Sequence, residues 1–226
     1  MSIEHVPLSE RMRPKSLDEY IGQEHLIGQN GPIRRALDAG ILPSIILWGP
    51  PGVGKTTLAN LLADQLKRPF YSLSAISSGV KDVRDIISKA TGNQGLFQSK
   101  QPIVFIDEIH RFSKSQQDSV LGAVEKGIIT LIGATTENPS FEVISALLSR
   151  CQVYTLREHS KDDLLKIINK VNTDLTYQVQ ISETTMSMVL YDFGSYDPKT
   201  FAKLVRMIEK ADTIYDSYPD LLKLLN

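Results

Sequence analysis

The sequence predicts an α/β protein in which a doubly wound layer of parallel strands and helices is followed by a smaller all-helical segment. Five short apolar runs are the strand candidates, at residues 45–48, 70–73, 103–106, 130–133 and 153–156. Each run is nearly continuous rather than alternating, which is typical of parallel strands that are buried on both faces. Helical patterns lie between the runs, at residues 56–66, 80–91 and 115–125. In such a layer, ligands bind at the carboxyl ends of the strands.

Only helical patterns follow residue 156. Ser160, with Asp163 three residues later, is a capping pair that predicts a helix to about residue 171. Further helices are expected at residues 182–192, 198–212 and 219–225. We therefore place a domain boundary near residue 157, with an α/β domain at residues 1–157 and a small helical domain at residues 158–226.

Composition and charge fit a globular protein of one large domain, or of a larger and a smaller one. The chain has 226 residues, and its 25 Lys and Arg against 26 Asp and Glu give no overall charge typical of a nucleic-acid or membrane binder. Its single cysteine, Cys151, excludes an internal disulfide and a cysteine-rich metal site. The polar start is unlike a signal peptide, and no apolar run approaches the roughly 20 residues that span a bilayer. We expect a cytoplasmic protein without a membrane partner.

The strongest motif is GPPGVGKT, which follows the first strand candidate and precedes a helical pattern. It matches the phosphate-loop pattern G-x-x-x-x-G-K-[ST] at Gly49, Gly54, Lys55 and Thr56. Backbone N–H groups of such a loop, together with the helix N-terminus, bind nucleotide phosphates. Lys55 would neutralise the β- and γ-phosphates of ATP, and Thr56 would hold Mg²⁺. The residues expected to contact the nucleotide are Gly49, Pro50, Pro51, Gly52, Val53, Gly54, Lys55, Thr56 and Thr57.

Two acidic residues follow the third strand candidate in the sequence IVFIDEIH. Asp107, at the end of a buried strand, fits a second Mg²⁺ ligand, and Glu108 fits the residue that orients and activates the attacking water. Two acids after an apolar run are, by themselves, more often a solvated turn. The phosphate loop in the same chain makes the catalytic interpretation the stronger one.

Polar residues end the fourth strand candidate, and an arginine precedes the fifth. The hydroxyls of Thr135 and Thr136 would lie beside the strand that carries Asp107, where they could reach the γ-phosphate or the water; an ordinary turn is the alternative. Arg150 closes a helical segment and points away from its own phosphate loop, so its target would be the γ-phosphate of a neighbouring subunit. The alternative is a surface arginine that balances a helix C-terminus.

Four segments of the sequence are characteristic in combination: PLSERMRPKSLDEYIGQEHLIG, LWGPPGVGKTTLA, FIDEIHRFSKSQQD and TLIGATTENPSFEVISALLSRC. Together they resemble the AAA+ ATPases, and within them the replication-associated recombination protein A subfamily, which includes the Werner-interacting ATPases. The third and fourth segments are the specific part, because the other motifs occur widely in P-loop ATPases. The resemblance spans about residues 6–156.

The resemblance implies roles for further residues. Those expected to line the adenine are Tyr20, Ile21 and Gly22. The phosphate loop would be Walker A and the two acids Walker B. Thr136, or failing that Thr135, would be the sensor 1 residue, and Arg150 would be an arginine finger that acts in trans. His110 and Arg111 match the family pattern without an assigned role.

The resemblance weakens after residue 156. The family carries Gly-Asp-Ala-Arg in its helical lid, and the arginine is the sensor 2 group that reaches the nucleotide. The comparable stretch here is Tyr196-Asp197-Pro198-Lys199, which has Lys199 in place of that arginine. Lysine keeps the charge but loses the planar fork, so we expect altered coupling between lid and nucleotide. The family continues into a tetramerisation domain, which we expect to be absent from this chain.

These observations predict an ATP hydrolase that uses Mg²⁺, and the resemblance implies that it depends on DNA at replication forks, gaps or ends. The resemblance implies a homo-oligomer when full length, with replication proteins such as the single-strand binding protein as partners. One alternative is a Holliday-junction motor or clamp-loader subunit, against which the ENPSFE segment argues. Another is an ATP-binding assembly module without hydrolysis, which the altered Lys199 favours and the intact Lys55, Glu108 and Arg150 oppose.

Overall fold

The computed structural model describes residues 12–75, 80–92 and 101–173. Internal contacts divide the chain into two units, and the larger one is Pro14–His159. The second unit is formed by Met1–Arg13 together with Ser160–Asn226. The helices predicted after residue 173, and Lys199 among them, lie outside the described residues.

A single parallel β-sheet forms the centre of the larger unit. Its strands are β1 (Ile45–Trp48), β2 (Phe70–Ser74), β3 (Ile103–Asp107), β4 (Thr130–Thr135) and β5 (Gln152–Thr155). All neighbouring strands are parallel, and their order across the sheet is β2-β3-β4-β1-β5. The predicted α/β layer with a five-stranded parallel sheet is confirmed.

Helices connect the strands. They are α1 (Glu24–Ile27), α2 (Pro32–Asp38), α3 (Lys55–Leu66), α4 (Val80–Gly92), α5 (Lys114–Glu125), α6 (Pro139–Glu142), α7 (Ser145–Leu148) and, in the second unit, α8 (Lys161–Thr173). A capping box at Ser113 and Gln116 starts α5, as its sequence predicts. Ser160 and Asp163 form the predicted reciprocal pair before α8. No helix within the described ranges is long and apolar enough to cross a membrane.

Hydrophobic cores lie on both faces of the sheet because alternate strand residues point to opposite sides. On one face, Ile45, Phe105 and Ile132 belong to a core that also contains residues of α1, α2 and α3. On the other face, Ile46 and Val104 belong to a core with residues of α5 and α7. The sheet is therefore covered by helices on both sides, as the continuous apolar runs predict.

The register of the strands brings three loops to one edge of the sheet. Trp48 of β1 pairs with Thr135 of β4, and the N–H of Gly49 donates to the Thr135 carbonyl at 3.2 Å. On β3, Asp107 pairs with the last residue of β2. The residues that follow β1, β3 and β4 therefore share the carboxyl edge, where open parallel sheets bind ligands.

Candidate active site

The phosphate loop, residues 49–54, joins β1 to α3. Gly52 and Gly54 have φ angles of 82° and 92°, in the left-handed region that side chains disfavour. Gly54 is also the N-cap of α3. Positive φ angles next to a helix N-terminus turn successive N–H groups toward one point, which is the arrangement that binds phosphate.

Two glycines of this loop are required by close neighbours. A Cβ on Gly49 would lie 2.6 Å from the carbonyl oxygen of Leu156, just after β5. A Cβ on Gly54 would lie 3.0 Å from the ring of Tyr20. The hydroxyl of Tyr20 donates to the carbonyl of Val53 at 3.0 Å, and burial raises the pKa of this phenol. The phosphate loop is thus packed against Tyr20, which precedes α1, and against Leu156, which follows β5.

Lys55 is folded back onto its own loop. Its side chain is only 7% exposed, and Nζ donates to the carbonyls of Gly49 at 2.7 Å and Pro50 at 2.8 Å. Burial lowers the pKa of Lys55, an effect that the negative charges of Glu108 and Asp107 oppose. The ammonium group is therefore close enough to the acidic residues to interact with their charges.

The two acids follow β3 in a sharp turn. Glu108 has a φ of 54°, which is uncommon for a residue other than glycine, and its N–H donates to Asp107 Oδ1 at 3.1 Å. Both side chains are half-buried, whereas Thr56 on the first turn of α3 is exposed. A hydroxyl and a carboxylate are oxygen ligands of the kind that Mg²⁺ prefers. In the described residues no cluster of three or more His, Cys, Asp or Glu side chains could hold a metal ion.

A histidine links the acidic turn to β4. His110 lies in the 3-10 turn Ile109–Arg111, with Nε2 3.3 Å from Glu108 Oε2 and Nδ1 3.0 Å from Thr135 Oγ1. Thr135 is fully buried at the end of β4, and Thr136, the residue predicted for sensor 1, is half-buried one position further on. The sequence gives no role for His110, because periodicity does not reveal a contact between residues 25 positions apart.

Arg150 lies at the opposite, amino edge of the sheet. Its Nη2 is 3.2 Å from Glu125 Oε1, and it borders a cavity together with Ser44 and Thr130, which lie where β1 and β4 begin. This is the orientation away from its own phosphate loop that the sequence predicts. Cys151 beside it is partly buried, and burial raises the pKa of its thiol to about 12.

The remaining predicted adenine contacts differ in exposure. Ile21 is half-buried, and Gly22 is buried with a φ of 82°. Gln23, which the sequence does not single out, donates from Nε2 to the carbonyl of Arg157 at 2.7 Å and accepts from its N–H at 2.9 Å. We call this pair, with the contact of His25 Nε2 to the Thr155 carbonyl at 2.9 Å, the clasp.

A family model matches the part of the chain that contains the phosphate loop, the acidic turn and β4. The family model of the ATPase family associated with various cellular activities (AAA) covers residues 45–158, which run from β1 past β5. The chain belongs to the AAA family of ATPases. Its phosphate loop, acidic turn and β4 all lie within the matched AAA region.

Similar curated proteins identify the subfamily of this chain within the AAA family. It is 52% identical over 163 residues to the replication-associated recombination protein A of Coxiella burnetii, covering 72% of this chain and 36% of that protein. It is 41% identical over 211 residues to the same-named protein of Haemophilus influenzae, covering 91% of this chain and 47% of that protein. The predicted subfamily resemblance is confirmed, and the chain spans less than half of the length of these relatives.

A similar solved structure is the RuvB Holliday junction branch migration motor of Thermotoga maritima. The TM-score is 0.73 at 28% sequence identity, and the match covers 94% of this chain and 71% of that one. The two proteins therefore share the α/β layer of an AAA ATPase.

Proposed function

We propose that this AAA chain is a DNA-dependent ATPase that acts in replication fork maintenance and recombination. The observation that carries the proposal is the meeting of the phosphate loop, Glu108 and Thr135 at one edge of the sheet. A buried lysine, two carboxylates and a buried hydroxyl at one place are groups that support phosphoryl transfer to water. The printed name of the relatives, replication-associated recombination protein A, supports the choice of DNA as the target.

The phosphate loop and the first turn of α3, residues 49–57, would bind the phosphates of ATP through their N–H groups and Lys55. Thr56 and Asp107 would hold Mg²⁺, which supplies charge neutralisation to the phosphates when it is bound. Of the adenine trio, Ile21 has a half-exposed side chain and would make the direct contact with the base. Tyr20 is buried and donates to the carbonyl of Val53, so it would stabilise the conformation of the phosphate loop.

Hydrolysis would depend on Glu108, which would orient and activate the attacking water. Thr136 would be the sensor 1 residue that contacts the γ-phosphate, since the hydroxyl of Thr135 is already engaged by Glu137 and His110. Arg150 would enter the site of the next subunit in a homo-oligomer. Its position at the amino edge supports this role, because it lies away from its own phosphate loop.

Hydrolysis would then reorient the helical domain of residues 158–226 against the AAA domain of residues 1–157. Lys199 would take the place of the sensor 2 arginine as the nucleotide contact of that domain. The movement would remodel bound DNA or a replication protein, with the single-strand binding protein as one client. We place this activity in the cytoplasm.

The test is ATP turnover measured against protein concentration, with and without duplex DNA that carries a single-stranded gap or end. We expect turnover that rises faster than linearly with concentration and increases with DNA. Glu108→Gln should retain bound ATP and lose turnover by about 100-fold or more. Glu142→Gln, on the exposed face of α6, is the matched control and should behave as the unaltered chain. Equal turnover in both variants would contradict the proposal.

The structural likeness to a branch migration motor favours one second candidate, a Holliday-junction motor. The same turnover assay separates the two functions when four-way junctions are compared with forks and gaps at equal nucleotide concentration. Stimulation by junctions alone, with movement of the branch point, would favour the second candidate. Stimulation by forks, gaps or ends favours the first.

A further inference from the structure

The imidazole of His110 lies between the acid proposed to activate water and the end of the neighbouring strand. Nε2 is 3.3 Å from Glu108 Oε2, and Nδ1 is 3.0 Å from Thr135 Oγ1. The side chain of His110 is only 11% exposed and that of Glu108 27%, so the imidazole ring is largely shielded from water. Hydrogen bonds that are shielded from water are stronger electrostatically than exposed ones.

The protonation state of the imidazole decides which groups donate and which accept in the contacts among Thr135, His110 and Glu108. The hydroxyl of Thr135 carries one proton, and it lies 3.1 Å from the carbonyl of Glu137 as well as close to His110. With a neutral imidazole, Thr135 donates to Nδ1 and Nε2–H donates to Glu108. With a doubly protonated imidazole, both ring nitrogens donate and the hydroxyl is released to Glu137. In either arrangement Glu108 and Thr135 are joined through one ring.

The backbone at Glu108 and at Thr135 restricts the positions of the two side chains that His110 contacts. Glu108 is held in the left-handed region at a φ of 54°, which fixes the direction in which its side chain leaves the turn. Thr135 is the last residue of β4, and its Oγ1 accepts from the N–H of Glu137 at 3.0 Å. A displacement of the segment after β4, where Thr136 would meet the γ-phosphate, therefore alters the hydrogen bond that reaches Glu108.

We propose that His110 is a positioning residue that couples the end of β4 to Glu108. It does not touch the nucleotide; it holds the Glu108 carboxylate in the orientation that activates water and transmits movement of Thr135 to it. The proposal rests on the proposed ATPase function. Loss of a hydrogen bond to a charged group in a shielded site corresponds to about a 10- to 100-fold effect on the rate of hydrolysis.

The first test compares His110→Ala, His110→Gln and Arg111→Ala. Arg111 lies in the same turn with an exposed side chain and is the matched control. We expect His110→Ala to lower kcat by about 10- to 100-fold with KM and the affinity for a fluorescent ATP analogue unchanged. His110→Gln, which can still donate to a carboxylate, should recover part of the loss. A merely structural role predicts a lower melting temperature and weaker nucleotide binding instead, and that result would overturn the proposal.

A second test asks whether His110 acts through Glu108. In the Glu108→Gln background, His110→Ala should produce no further loss of turnover. Thr135→Val alone should lower turnover as His110→Ala does, and the variant that carries both changes should lose no more than either single variant. Losses that multiply in the double variants would show that the residues act independently.

A third measurement does not depend on turnover, so it separates failure of this inference from failure of the proposed function. The imidazole ¹⁵N signals of His110, identified among those of the 4 histidines by their absence in His110→Gln, are recorded in Glu108→Gln and Thr135→Val. We expect both substitutions to shift them and Arg111→Ala to leave them unchanged. Signals that are unchanged in both variants would overturn the coupling even if the chain hydrolyses ATP, whereas shifted signals support it even if turnover is absent.

Discussion

The carboxyl and amino edges of the sheet hold their charged side chains in different ways. At the carboxyl edge, Lys55 is 7% exposed and donates to two backbone carbonyls. At the amino edge, the side chains of Arg150 and Glu125 are 51% and 43% exposed, and their contact at 3.2 Å is an ion pair in solvent. Such exposed pairs typically contribute about 0–1 kcal/mol.

On the proposed function, this difference corresponds to a lysine that acts within its own subunit and an arginine that is available to the next one. The lysine has lost its rotamer freedom during folding, so holding phosphate costs little further order. The arginine can leave Glu125 for a stronger anion at small cost. On the proposed function, Arg150 would in this way complete the site of the next subunit.

The largest expected effect tests the more exposed edge. Arg150→Ala should lower ATP turnover by about 1,000-fold with little change in the melting temperature, because an arginine finger stabilises charge only in the transition state. Glu125→Ala, which removes the partner and keeps the arginine, is the control and should stay within about twofold.

Mixing experiments sharpen this prediction. We expect chains with Arg150→Ala and chains with Lys55→Ala each to have little turnover alone. Mixed oligomers should regain part of the turnover, since some interfaces then contain one intact lysine and one intact arginine. No recovery in oligomers shown to be mixed would mean that Arg150 acts within its own subunit.

At the carboxyl edge, Lys55→Ala should lower turnover by about 100- to 1,000-fold and also weaken ATP binding. Loss of binding is what distinguishes it from the arginine, because Lys55 would neutralise phosphate charge in the bound nucleotide as well as in the transition state. Lys126→Ala, at the exposed end of α5, is the control. If Lys55→Ala kept turnover and nucleotide affinity within threefold of the unaltered chain, the contrast between Lys55 and Arg150 would be wrong.

Packing around the loop gives a smaller effect, on stability. Gly49→Ala should lower the free energy of unfolding by about 1–3 kcal/mol, because the new Cβ would meet the Leu156 carbonyl. Gly122→Ala, in α5 with open space around it, should be neutral or stabilise by up to about 1 kcal/mol. Chemical denaturation of both variants measures the contrast, and equal midpoints would argue against a tight approach of β5 to the loop.

A smaller effect than that of Gly49→Ala is expected from Tyr20→Phe, which removes one buried hydrogen bond and should cost about 1 kcal/mol. Tyr154→Phe removes a hydroxyl that donates to the exposed Gln152, so its cost should be smaller. Thermal unfolding of the two variants provides the measurement. A larger loss for Tyr154→Phe would show that Val53 does not depend on the N-terminal segment.

The sequence predicts the sheet well because its inner strands are buried on both faces. The observed β1 has the predicted bounds, and β3 and β4 extend the predicted runs by one and two residues. The prediction for β5 is shifted by one residue, since this strand lies at the edge of the sheet, with Val153 43% exposed. Strand order does not follow from apolar runs, which carry no information about neighbours.

The candidate site divides in the same way. Lys55, Asp107 and Glu108 follow from motifs, because the chemistry of phosphate requires those residue types at fixed spacing. The links from His110 to Thr135 and from Gln23 to Arg157 join residues 25 and 134 positions apart. Such contacts depend on which strand ends meet in space, and no local pattern encodes them.

The clasp has a consequence for how molecules of this protein avoid one another. The N–H of Leu156 faces β1, so the polar backbone groups of Thr155 and Arg157 point outward from the last strand of the sheet. An outward row of this kind can pair with a strand from another molecule and lead to aggregation. Gln23 and His25 bond three of these groups, the N–H and carbonyl of Arg157 and the carbonyl of Thr155, in the way that a further strand would, and so shield the end of β5 from pairing with another molecule.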